Sequence, residues 1–361
     1  MKKIIATVPI ILALTIVVLL AANRQGEEAN EPRAGVTVIA DNIEIPWDIA
    51  FLPDGSMLVT ERGGNVLALE ATGGQKTVFN TEVEGGGEGG LLGIALHPNF
   101  ADNRFVYLYM TRPASGGQTG NRVVRYRYEN EIFSFDKVII NGIPGAIYHD
   151  GGRIAFGPNG MLYISTGDAT EPRLAQDLSS LAGKILRLRD DGALPSDNPF
   201  GTAIYSYGHR NPQGLAWDSE GRLFSTEHGR SGALSGLDEI NFIQAGTNYG
   251  WPDIEGDQTK NGMVNPILHS GARTTWAPAS AAILNGSIFF GGLRGEALYE
   301  AILDGERVRE LKTHFEGEFG RIRTVRVGPD EMLYLSTSNR DGRGSPAPND
   351  DKIIRVNPKE L

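Results

Sequence analysis

One hairpin recurs along this chain. "PWDIAFLPDGSMLVTERG" from Pro46, "RIAFGPNGMLYISTGD" from Arg153, "PQGLAWDSEGRLFSTEHG" from Pro212 and "IRTVRVGPDEMLYLSTSN" from Ile322 share one design. Each is an apolar strand, a Pro/Asp/Gly turn and a second strand closing on Ser or Thr. "LLGIALHPNFADNRFVYLYMT" from Leu91 is the same unit with a longer turn, and "SAAILNGSIFFGGLRG" from Ser280 is a weaker sixth copy. The turns fall near residues 55, 99, 160, 221, 286 and 331, an irregular spacing that suits one four-stranded blade with its loops per copy. A β-sandwich also uses many strands, but six similar units favour radial repetition. The expectation is an all-β chain, a six-bladed β-propeller of four-stranded antiparallel blades, with Lys352 to Val356 closing the ring by pairing with the first blade.

Composition agrees. The 47 glycines among 361 residues indicate many tight turns and few long helices. A formal charge of −10 makes a poor nucleic-acid binder. With no cysteine, disulfide scaffolds and thiolate metal sites are excluded. Lys2 and Lys3 precede an apolar run from Ile4 to Ala22, nearly long enough to cross a hydrocarbon core of ~30 Å. Residues 1–22 therefore read as a signal peptide or an uncleaved membrane anchor, residues 23–33 as a polar linker, and the body as extracytoplasmic: periplasmic, secreted or tethered at the outer face of the membrane.

The unusual residues gather just before the first strand of a hairpin and just after the second. His149 and Arg153 precede one hairpin and Asp168 follows it; Glu227 and His228 follow another; Arg321 and Arg323 open a third. In an antiparallel pair these ends lie at one face. His209, Arg210 and Asn211 sit in a loop ahead of a strand, a position that an ordinary exposed turn also explains. Glu227, Asp238 and Glu239 surround a glycine-rich loop, a composition suited to a hard cation such as Ca²⁺, although loop acids are usually only solvated. Arg321 and Arg323 share one strand face, and two guanidiniums there point to an anion between them; two solvated arginines are the plainer alternative. Gly85, Gly87 and Gly90 form a G-x-G-x-x-G string without a strand–turn–helix setting, which argues against nucleotide binding.

Taken in order, "EGGLLGIALHPNF", "HDGGRIAFGPNGMLYISTGDA", "GHRNPQG", "DEIN" with "GTNYGWP", and "RIRTVRVGPD" resemble the soluble glucose/sorbosone dehydrogenase family, in particular its PQQ-dependent aldose sugar dehydrogenases. The resemblance spans roughly Ile45 to Val356, within a propeller domain of residues 34–361. It implies His149 as general base and Asp168 as the carboxylate that orients it, with Arg210 and Asn211 contacting cofactor or substrate. It also implies Thr275, Arg321, Arg323 and Thr337 around PQQ, and Glu88 on the substrate side. Carbonyls of Gly229 and Arg230 would ligate Ca²⁺ under the quinone, and Glu239 with the Tyr249 carbonyl a second, structural Ca²⁺. Three positions depart from the family pattern: Arg294 stands for a lysine, His228 for a glutamine found in some members, and Arg230 for a proline. The implied reaction oxidises an aldose at C1 and hands electrons to an external acceptor such as a quinone, dye or redox protein. A Ca²⁺-dependent sugar lactonase and a non-enzymatic binding propeller are the other readings; the first has no need of the arginine pair, and the second would lose the base.

Overall fold

The computed structural model describes residues 34–70, 74–114, 117, 119–232 and 235–361. The expected leader and linker, residues 1–33, lie outside them. No helix among the described residues is long and apolar enough to cross a membrane.

Six four-stranded antiparallel sheets form the six blades of a propeller. Blade 1 runs from Pro46–Phe51 to Gln75–Asn80, blade 2 from Leu91–Leu96 to Ile132–Gly145, and blade 3 from Ile154–Phe156 to Ile204–Tyr207. Blade 4 runs from Pro212–Trp217 to Leu268–His269 and blade 5 from Pro278–Leu284 to Arg307–His314. Blade 6 takes Ile322–Val327, Leu333–Thr337 and Ile353–Val356, and its outer strand is Val36–Ala40. This corrects the expected closure. The last strand pairs with the first described strand, Val36 opposite Val356 and Thr37 opposite Arg355, so both of these strands complete the sixth blade and neither joins the first.

Each repeated turn has a local cause. The amides of Ser56, Met161, Glu220 and Met332 donate to Asp54, Asn159, Asp218 and Asp330, two residues earlier, at 3.0 to 3.3 Å, so the side chain at the tip fixes the bend. The closing Ser or Thr has a different task, reaching the innermost strand of the next blade. Thr60 donates to the Leu92 carbonyl (2.6 Å), Thr226 to Ala279 (2.8 Å) and Ser336 to Pro46 (3.2 Å). Apolar side chains fill the remaining space between blades: Leu92, Tyr107, Tyr109, Ile154 and Leu186 form one cluster between blades 2 and 3. Full burial of one such aliphatic side chain is worth roughly 1.5–3 kcal/mol.

Candidate active site

Strand order places the start of each first strand and the end of each second strand at one face of the ring. A cavity of about 460 Å³ opens there, lined by Glu88, Tyr148, His149, Thr170, Arg210, His228, Gly229, Arg230, Thr275, Arg294, Arg321 and Arg343, among others. The residues come from five of the six connections between blades and from loops within blades 3 to 6, so no single stretch of sequence contains the site.

His149 lies between blades 2 and 3 with a left-handed backbone, φ 66°. Its Nδ1 is 2.7 Å from Asp168 Oδ1. Asp168 is fully buried and fixed from three sides: Trp251 Nε1 donates to Oδ2 (2.8 Å), the Thr170 amide to Oδ1 (2.9 Å), and the Asp168 amide to the Arg210 carbonyl (2.7 Å). The carboxylate accepts the Nδ1 proton, which leaves Nε2 as the basic nitrogen. The two segments touch so closely that a Cβ at Gly167 would lie 1.9 Å from the His149 carbonyl oxygen. Only glycine fits there.

Glu88 accepts from the His149 amide (3.0 Å) and, through its other oxygen, from Arg343 (2.8 Å). Burial opposes its ionisation, but charge on His228, the Arg343 guanidinium and the His149 amide outweigh it, and the carboxyl lies well below its ordinary range. Burial pushes His228 itself down to about 4, so near neutral pH its imidazole is uncharged and Arg343 supplies the cation. The His228 Nε2 is buried and has no hydrogen-bond partner. Arg210 donates to Ser231 (2.9 Å) and lies 5.4 Å from the Trp251 ring centre. Asp238 knits two loops together: it accepts from the Gly229 amide (2.8 Å), the Thr275 hydroxyl (2.7 Å) and the Trp276 and Ala277 amides (2.6 and 2.9 Å).

Several expected residues sit elsewhere. Arg323 is buried and does not line the cavity; it donates to Gln213 (3.1 Å), and burial lowers its pKa to about 9. The anion between Arg321 and Arg323 is part of the chain, because Asp341 Oδ2 lies 2.8 Å from Arg321 and 3.7 Å from Arg323. The pair alone therefore does not demand an anionic ligand. Thr337 is bonded to Asp351 (3.1 Å), away from the cavity wall, and Asn211 acts behind it, accepting from the Gly151 amide (3.0 Å). Arg153 turns inward to pair with Asp48. Arg294 lines the cavity, is exposed, and makes no ion pair or side-chain hydrogen bond among the described residues.

Below the main cavity, a space of about 20 Å³ is bounded by Glu227, Glu239, Tyr249 and Glu255. Burial and the adjacent Glu227 charge push Glu239 up to about 8, which marks a place where a cation would relieve two carboxylates. Among the described residues no three His, Asp or Glu side chains converge as metal ligands, so an ion there would need carbonyl oxygens as well. The Arg230 carbonyl, at the main cavity, accepts from the Gly236 amide (3.3 Å) and keeps a second lone pair.

Residues 43–345 match the Glucose / Sorbosone dehydrogenase family. The chain belongs to that family. It is 31% identical over 360 residues to aldose sugar dehydrogenase YliI of Escherichia coli, covering 90% of this chain and 93% of that one. Quinoprotein glucose dehydrogenase B of Acinetobacter calcoaceticus is 31% identical over 302 residues, or 72% of this chain and 62% of that one. Among solved structures, the PQQ-bound form of aldose sugar dehydrogenase from Streptomyces coelicolor superposes with a TM-score of 0.83 at 40% identity, covering 91% of this chain and 99% of that one. Within the glucose/sorbosone dehydrogenase frame, sequence reading missed Tyr148, Trp251, Asp341 and Arg343. None of the four had a local signal; Asp341, which neutralises Arg321 and Arg323, lies one strand beyond them in a loop where it reads as a turn acid.

Proposed function

We propose that this cavity binds PQQ and oxidises an aldose at its anomeric carbon to the lactone, with electrons leaving to an external acceptor. One observation carries the proposal: His149, held by buried Asp168 in the tautomer with Nε2 basic, faces a cavity walled by Arg210, Arg294 and Arg321. That wall presents the cations a planar tricarboxylate needs. The PQQ-bound relative from Streptomyces coelicolor supports the same reading.

When bound, PQQ supplies the acceptor for the two electrons and hydrogen leaving C1, and a Ca²⁺ held by the Gly229 and Arg230 carbonyls supplies Lewis acidity. His149 Nε2 takes the proton of the anomeric hydroxyl. Asp168 stabilises the imidazolium formed and keeps the ring from turning. Arg210 and Glu88 bound the substrate on either side, one offering donors and the other acceptors. Residues 2–22 support an extracytoplasmic body tethered or exported through that segment.

Titrating PQQ into the cofactor-free protein tests the binding step. A saturable change in quinone absorbance is expected, followed by bleaching on aldose addition. Arg294→Ala should weaken binding about tenfold, the loss of one charge-assisted contact, with no change in melting temperature because that side chain holds nothing else. Unchanged PQQ affinity would remove Arg294 from the cofactor site. Chelation supplies an independent check: removing Ca²⁺ should lower the melting temperature even without PQQ, because an ion at Glu239 and the Tyr249 carbonyl binds only the folded state. A melting temperature unmoved after verified calcium removal would contradict that site.

A further inference from the structure

We propose that Arg343 is a positioning residue that sets the geometry of the base from across the cavity mouth; the proposal rests on the role given above to His149. Arg343 belongs to the loop that follows Leu333–Thr337 in blade 6. That loop is pinned to the body of the propeller: Asp341 accepts from Arg321 (2.8 Å) and from the Arg343 amide (2.9 Å). A Cβ at Gly344 would lie 2.7 Å from Arg321 Cδ, so the loop packs directly on that arginine.

The Arg343 side chain reaches the loops that precede blades 2 and 3. It lies 5.1 Å from the centre of the Tyr148 ring and donates to Glu88 Oε1 at 2.8 Å, a contact between residues 255 apart in sequence. Glu88 Oε2 accepts the His149 amide at 3.0 Å and faces Asn211 Nδ2 at 3.5 Å. The Glu88 amide also donates to the Ile147 carbonyl at 2.8 Å. One carboxylate thus joins the blade 6 loop to the left-handed backbone of the base. His149 has a side chain in a region of φ that disfavours one, and its amide needs a fixed acceptor to stay there. Without Arg343, Glu88 loses the cation that fixes its outer oxygen. The carboxylate can then rotate away from the His149 amide, and the imidazole shifts relative to Asp168 and the substrate hydroxyl.

Arg343→Ala should therefore lower kcat by roughly 10–100-fold, the scale of a displacement near 1 Å at a reacting group, with a smaller rise in KM for the aldose, because Glu88 also faces the substrate, and with affinity for PQQ changed less than about twofold. Arg343→Lys, or guanidinium ion added to Arg343→Ala, should restore part of kcat. An effect confined to KM or to PQQ affinity would make Arg343 a substrate or cofactor contact and overturn the proposal; so would an unchanged kcat. A second readout needs no turnover. In the cofactor-free protein, the low-field proton resonance of His149 Nδ1–H bonded to Asp168 should be present in wild type and Arg343→Lys and broadened or lost in Arg343→Ala. If the wild type oxidises no aldose, that resonance still decides the positioning role, and its persistence unchanged in Arg343→Ala would refute it.

Discussion

His149→Ala is expected to lower turnover by about 10²–10⁴-fold while leaving PQQ binding close to wild type, the usual cost of removing a positioned general base. The separation follows from where the contacts lie. The imidazole is bonded to Asp168 (2.7 Å), and the residues facing an anionic ligand, Arg210, Arg294 and Arg321, stand on other loops around the ring. Asp168→Asn should also be slow, because an amide can donate to Nδ1 and so move the basic nitrogen to the wrong side of the ring. Steady-state rates at saturating PQQ, set beside a PQQ absorbance titration of each variant, measure the two effects separately. A folded, PQQ-loaded His149→Ala that turns over at the wild-type rate would reduce His149 to a structural residue.

The largest stability effect is expected at Asp48. Fully buried, it lies 2.5 Å from Arg153, which is also fully buried, and takes two bonds from Arg326 (3.0 and 2.8 Å). Arg153 in turn lies 4.3 Å from the Trp47 ring centre. Asp48→Ala strands these cations without an anion and should cost about 3–5 kcal/mol, the usual result of removing one partner from a buried ion pair. Denaturant midpoints measure it. The pH dependence has a definite sign: burial raises the Asp48 pKa, but Arg153 and Arg326 outweigh burial and the net shift is downward. Its contribution is therefore complete above the ordinary carboxylate value of about 3.9 and fades as pH falls through the lower folded value. Asp48→Ala should show a shallower loss of stability in acid than wild type. Equal midpoints near neutral pH would contradict the argument.

What could be read from sequence was local. The six hairpins are encoded by strand, turn and strand within about twenty residues, and the Asp54, Asn159, Asp218 and Asp330 turns need only their own neighbours. His149 and Asp168 flank one such hairpin, so their meeting was legible. Ring closure was not: Val36–Ala40 carries no mark that selects Ile353–Val356 over the first blade as its partner. Charge compensation was the other blind spot. Arg321 and Arg323 drew attention as a pair, but Asp341, which neutralises them, sits in the loop "NRDGRG" and reads there as an ordinary turn acid. Asp48 likewise looks like a polar residue on a strand, and its partners Arg153 and Arg326 come from blades 3 and 6. Arg343, 255 residues from Glu88, has no local signal at all.

Adding PQQ and Ca²⁺ to the cofactor-free protein and following dye reduction with a panel of aldoses decides whether this cavity is a sugar-oxidising site. Dye reduction is expected only when PQQ and an aldose are both present, with lactone as the product. Failure of every aldose in the panel to reduce the dye, or lactone hydrolysis that proceeds equally well without PQQ, would rule that function out.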